Sequence, residues 1–122
     1  MPLLVIGINH RTAPVEIREK VVFAGDELPA ALQELSAVAG VRESLIVSTC
    51  NRTELYCLSE GDEHPLVAWL SGWHDLTAHH LDISGSLYRL HGTPAIQHVF
   101  SVACGLDSLV LGEPQILGQL KT

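Results

Sequence analysis

The chain has 122 residues, 47% hydrophobic and 17% charged, a length that suits one core and is too short for two well-packed ones. A formal net charge of -7 excludes a general phosphate-binding surface, since nucleic-acid affinity rests on many Lys and Arg side chains, so any RNA contact is local. No apolar run approaches the ~18 residues of a membrane span, and Met1, Pro2 and Leu3 put no basic region before the first apolar stretch, so the chain reads as cytoplasmic.

The apolar run 3–9 predicts a buried strand that passes into a loop at 10–14. Pro14 opens a short helix over 15–22. Gly25, Asp26 and Glu27 break the chain and cap a clearer helix over 28–38, with Leu28, Ala31, Leu32 and Leu35 on one face and Gly40 as its stop. Residues 44–47 form a second strand. In a third, Thr53, Leu55 and Cys57 alternate with Glu54, Tyr56 and Leu58, which puts Cys50 at the junction of the two strands. Leu66, Val67, Leu70 and Trp73 mark a helix over 63–73, followed by a His-rich stretch to 81 and a fourth strand at 86–91. Thr93 as N-cap and Pro94 in the first turn open a helix with Ile96, Val99, Phe100 and Ala103 inward, His98 beside them and Gly105 as its stop. After a connection over 106–112, Glu113 and Pro114 start another helix, inside which the sequence ends as if cut. This order predicts an α+β fold, a ferredoxin-like βαββαβ antiparallel sheet with additional helices at the C-terminal end.

The cysteines, Cys50, Cys57 and Cys104, contain no CxxC pair, which in a reducing compartment favours free thiols. Cys50 is the sharpest candidate for chemistry. It follows an apolar strand and stands close to Arg52, a cation that favours the nucleophilic thiolate. Ser48, Thr49, Asn51 and Arg52 add hydroxyl, amide and guanidinium groups suited to orienting an acyl group with a carboxylate tail. The plainer reading makes Cys50 a small buried hydrophobe. Cys57 and Cys104, in apolar alternation, are structural on this reading. Arg52 is either the carboxylate binder or simply the partner of Glu54 or a neighbouring acid. His98 is either an acid/base group near Cys50 or a hydrogen-bonded, partly buried imidazole. His64, His74, His79 and His80 lack a ligand spacing, so no metal site is predicted. There is no GxGxxG, so this chain alone cannot complete a nicotinamide-dependent redox reaction.

Three segments, 7–14 (GINHRTAP), 48–56 (STCNRTELY) and 105–119 (GLDSLVLGEPQILGQ), together resemble the amino-terminal domain of bacterial and plant glutamyl-tRNA reductases. The resemblance spans nearly the whole chain. It implies that Cys50 attacks the ester linking glutamate to the tRNA 3′ end, giving a thioester that NADPH reduces to glutamate 1-semialdehyde for tetrapyrrole synthesis. Carried onto matching positions, Thr49, Cys50, Asn51 and Arg52 form one substrate-binding stretch, and Ser108, Glu113, Pro114, Gln115 and Gln119 supply a second. His98 matches a histidine important for activity in that family. The resemblance further implies that residues 1–122 are the thioester-forming catalytic domain, cut within a helix near 113–122, while NADPH-binding and dimerisation domains follow it in the longer enzyme. That enzyme is expected to be a homodimer and to associate with glutamate-1-semialdehyde aminotransferase. The chain alone is then expected to be acylated, or to hydrolyse its substrate, without reducing it. A different class of reading makes it a non-catalytic protein-binding or regulatory module with an inert Cys50. A thiol hydrolase acting alone is a third.

Overall fold

A computed structural model describes residues 3–60, 62–76 and 82–109, with the side chains of 104–109 excepted. The elements run β1 (Leu3–Asn9), α1 (Val15–Lys20), α2 (Leu28–Ser36), β2 (Val41–Ser48), β3 (Arg52–Ser59), α3 (His64–Trp73), β4 (Tyr88–His91) and α4 (Gly92–Leu109). The sheet order is β2-β3-β1-β4 with every neighbouring pair antiparallel, the ferredoxin-like arrangement expected from the order of elements. The expected helix at 113–122 and residues 77–81 of the His-rich stretch lie outside the described residues.

β1 and β3 occupy the centre of the sheet, and both of their faces are covered. Leu4, Ile6 and Ile8 of β1 point the same way as Ile46, Leu55 and Cys57, and pack against Leu28, Ala31 and Leu35 of α2 and Leu66 and Leu70 of α3. The intervening residues Val5, Val47 and Tyr56 pack on the opposite face with Ala95 and Val102 of α4. Strands covered on both faces lose the apolar/polar alternation, which is why 3–8 read as one apolar run. Each Leu or Ile removed from water in this way contributes roughly 1.5–3 kcal/mol.

Most element boundaries shift by one to three residues from the sequence-based expectation, as end-fraying predicts. β2 begins three residues early, at Val41, because a register shift between Val41 and Glu43 lets its pairing with β3 continue to Ser59. α4 differs more. Gly105 does not stop it, and the helix continues to Leu109; an interior glycine costs only about 1 kcal/mol, which does not by itself end a helix. Its inward face is also rotated from the expected one. Ala95 and Val102 are buried and His98 and Val99 half-buried, whereas Ile96 and Phe100 are 48% and 67% exposed. Positions 95, 98, 99 and 102 have the same helical spacing as the apolar set 96, 99, 100 and 103. The polar His98 hides the true stripe in the sequence, and the sheet beneath it supplies the partner that selects it.

Candidate active site

Cys50 sits at the β2–β3 turn with its side chain exposed, between Ser48, the last residue of β2, and Arg52, the first of β3. The turn is tied down from several sides. Thr49 N–H donates to the Arg52 carbonyl at 2.7 Å, and Thr49 Oγ1 accepts the N–H groups of Asn51 (3.0 Å) and Arg52 (3.1 Å). From α1, Arg18 Nη1 donates to the Cys50 carbonyl at 2.9 Å. Ser48 Oγ, buried beneath, accepts the Phe23 N–H at 2.8 Å. These bonds spend backbone and side-chain groups on holding the turn and leave the thiol outward. Thr49, read from the sequence as a substrate contact, here has its hydroxyl engaged by the turn itself.

A second constellation lies on the α4 face of the sheet. In antiparallel register Glu54 of β3, Gly7 of β1 and Tyr88 of β4 stand side by side, with Val47 of β2 on the far side of Glu54. Gly7 has no side chain, so Glu54 and Tyr88 meet above it. Glu54 is 0% exposed, and four donors converge on its carboxylate. Tyr56 Oη donates to Oε1 at 2.6 Å, Tyr88 Oη and His98 Nε2 both reach Oε2, and Arg52 Nη1 approaches Oε1 at 3.4 Å. The His98 ring also stacks on Tyr56, with centroids 6.3 Å apart, and meets the edge of Tyr88 at 5.7 Å.

Burial alone would push the Glu54 carboxyl up, but hydrogen bonds from His98, Tyr56 and Tyr88 and the charge of Arg52 outweigh it and hold the group below the usual glutamate range. Burial and the adjoining carboxylate push both tyrosine phenols upward. The network is therefore an ionised carboxylate fed by neutral phenols, a guanidinium and an imidazole. Because Glu54 is depressed in the folded chain, its contribution to stability is complete above the ordinary glutamate pKa and is lost as pH falls through the folded value. The thermal midpoint is expected to drop on acidification below about pH 4, and less steeply in Glu54→Gln than in wild type. Parallel slopes in the two proteins would contradict an ionised Glu54.

Arg52 and Glu54 form an ion pair at 3.4 Å, with the Arg52 side chain 24% exposed. His98 is half-buried and hydrogen-bonded to Glu54, and no hydrogen bond joins it directly to Cys50. Asn51 is exposed beside Cys50. Cys57 is buried, and burial pushes its thiol up to about 12, which suits a structural role. The side chains of Cys104 and Ser108, and all of Glu113, Pro114, Gln115 and Gln119, lie outside the described residues. His74, set aside as a metal ligand, spans from α3 to the segment after α1, with Nε2 at 3.0 Å from the Val22 carbonyl and Nδ1 at 3.2 Å from that of Leu70.

Sequence reasoning missed Arg18, Glu54, Tyr56 and Tyr88 as site residues. One signal was present: Arg52, Glu54 and Tyr56 recur at period two on a single strand face, a polar stripe in an otherwise apolar element. Nothing local marks Tyr88 or Arg18, which arrive from 34 and 32 residues away.

Fold and site together define a class: a ferredoxin-like α+β domain with an exposed cysteine at a strand turn and, on one sheet face, a histidine held by a buried carboxylate. Residues 6–122 match the family described as Glutamyl-tRNAGlu reductase, N-terminal domain, and the chain belongs to that family. It is 55% identical over 122 residues to a glutamyl-tRNA reductase of Pseudoalteromonas translucida and 53% identical over 121 residues to one of Shewanella baltica. Those alignments cover 99% of this chain and 29% and 28% of the relatives, so the chain spans under a third of their length. Among solved structures it resembles the glutamyl-tRNA reductase from Methanopyrus kandleri, with a TM-score of 0.63 and 33% identity over 98% of this chain and 26% of that one.

Proposed function

We propose that this chain is the glutamyl-accepting part of a glutamyl-tRNA reductase, an oxidoreductase that feeds tetrapyrrole synthesis. In this reading the Cys50 sulfur attacks the ester carbonyl of glutamyl-tRNA, the C–S bond forms, the ester C–O bond breaks, and the released tRNA oxygen takes up the proton lost by the thiol. The observation that carries the reading is the exposed Cys50 thiol on a turn pinned by Thr49 and Arg18, in a chain of this family. Asn51 and Arg52, which follow Cys50 in the chain, are the groups proposed to receive the glutamyl moiety. Ser108, Glu113, Pro114, Gln115 and Gln119 belong to the proposal through the family resemblance alone.

The family reaction uses NADPH to reduce the thioester to an aldehyde. The residues here do not fit that cofactor. Among the described residues the sheet is wholly antiparallel, with no parallel strand–turn–helix unit to seat a pyrophosphate, and the sequence has no glycine fingerprint. No hydride step is assigned to this chain, and in the longer relatives the cofactor is proposed to bind elsewhere. Glutamyl-tRNA as substrate, a homodimer, association with glutamate-1-semialdehyde aminotransferase and a cytoplasmic setting follow from the same family reading. No helix among the described residues is long and apolar enough to cross a membrane.

One observation favours the rival reading of a protein-docking module, the exposed Ile96 and Phe100 on the outer side of α4. Incubation with tRNA charged with radiolabelled glutamate separates the two. Label retained on the protein, released by hydroxylamine and blocked by prior alkylation, is the expected result; protein without label favours docking.

A further inference from the structure

The geometry points to Glu54 as the positioning residue that fixes the tautomer of His98, with Nε2 carrying the proton and Nδ1 left as the nitrogen that exchanges protons with the reacting groups. An ionised carboxylate is acceptor only, and both phenols and the guanidinium already donate to it. The one imidazole nitrogen that faces it, Nε2, must therefore donate as well. A neutral imidazole has a single N–H, so its lone pair then sits on Nδ1. The carboxylate–imidazole pairing follows the logic of a catalytic triad, in which a buried acid orients the base.

Three features make the arrangement a device for positioning rather than a chance ion pair. Glu54 is fully buried, so breaking the contact cannot be repaired by water. Tyr56 and Tyr88 clamp the carboxylate from two strands and also border the imidazole ring, so the same two side chains hold both members of the pair. Gly7 provides the gap in which they meet, since a Cβ there would stand 2.8 Å from both Glu54 Cγ and Tyr88 Oη. His98 projects from α4 toward the sheet, and Glu54 is the polar group that receives it, so one contact sets the ring's protonation and the helix's rotation. During acylation the proton that leaves the exposed Cys50 thiol reaches Nδ1 through solvent, since no hydrogen bond joins the two residues, and ends on the tRNA hydroxyl; no net redox change occurs.

The inference rests on the acylation proposed above, but its test has an arm that needs no substrate. In the purified wild-type protein, 15N–1H correlation of the histidine side chains at alkaline pH is expected to show His98 as the Nε2–H tautomer. An Nδ1–H or mixed pattern overturns the proposal whatever the acylation assay gives. In Glu54→Gln the tautomers are expected to mix, and the single-turnover rate of Cys50 acylation to fall by about a hundredfold, while half-saturation for glutamyl-tRNA changes less than about threefold. Wild type that acylates and a folded Glu54→Gln that acylates within about threefold of it refute the positioning role alone; wild type that does not acylate refutes the proposed function and leaves the tautomer to be judged by its spectrum. Should Glu54→Gln not fold, the wild-type spectrum still decides.

Discussion

Gly7→Ala is expected to lower stability by about 2–4 kcal/mol, as overpacking is compounded by damage to a buried charged network. The substitution looks mild, because Gly7 lies in a strand and alanine suits a strand backbone better than glycine. The cost comes from above the sheet. An added Cβ would stand 2.8 Å from Glu54 Cγ, 2.8 Å from Tyr88 Oη and 2.9 Å from Tyr88 Cζ. None of these is the free end of a flexible chain: Cγ is the middle of a fully buried side chain and the phenol is held at both ring and hydroxyl. Either Glu54 or Tyr88 must swing away, and whichever moves leaves buried polar atoms without partners. Chemical denaturation of wild type and Gly7→Ala measures the loss. A variant within about 0.5 kcal/mol of wild type would mean that the network tolerates a gap and is not the tightly coupled unit described. Glu54→Gln makes the complementary comparison: combined with Gly7→Ala it should cost less than the sum of the single changes, since both damage the same contacts.

Cys50→Ser is expected to remove the covalent glutamyl adduct, lowering its formation by at least about a thousandfold, with the fold left intact. The thiol is exposed on a turn whose hydrogen bonds use the Thr49 hydroxyl and backbone groups, including the Cys50 carbonyl, and never the sulfur. Serine preserves all of them, so stability should stay within about 0.5 kcal/mol, as for ordinary surface changes. What changes is nucleophilicity, because a hydroxyl is far less ionised than a thiol at neutral pH. Cys57→Ser makes the useful contrast. Its thiol is buried and pushed up to about 12, so the adduct should persist, while placing a hydroxyl in an apolar site costs about 1–3 kcal/mol. Label trapping and thermal melting on both variants give the answer; an adduct that survives Cys50→Ser, or disappears in a folded Cys57→Ser, assigns the chemistry to another residue.

The two changes probe different parts of the molecule, and the parts were not equally visible in the sequence. The Cys50 turn was legible because its signals are local. An apolar run ends, a cluster of polar residues intervenes and another strand begins, all within 48–56. The Glu54 cluster was not. Its polar stripe at Arg52, Glu54 and Tyr56 could be seen, but nothing in the chain says that such a stripe turns inward. A strand with alternating residues has two faces, and burial of the charged one requires a cover that arrives only when α4 packs on the sheet.

The sequence by itself determined the order of strands and helices, the antiparallel ferredoxin-like class, the position of Cys50 between two strands and, through its motifs, the family. Each is written in local periodicity, in turn residues or in segment identity, which survive without knowledge of what touches what. The tertiary structure alone decided that α4 presents 95, 98, 99 and 102 to the sheet instead of the apolar stripe beside them. It also decided that Gly7, Glu54, Tyr88 and His98 form one unit, and that Arg18 holds the Cys50 turn. Those decisions depend on register and helix rotation, which are set by pairings across 32 to 44 residues and by the cost of leaving a buried carboxylate without donors.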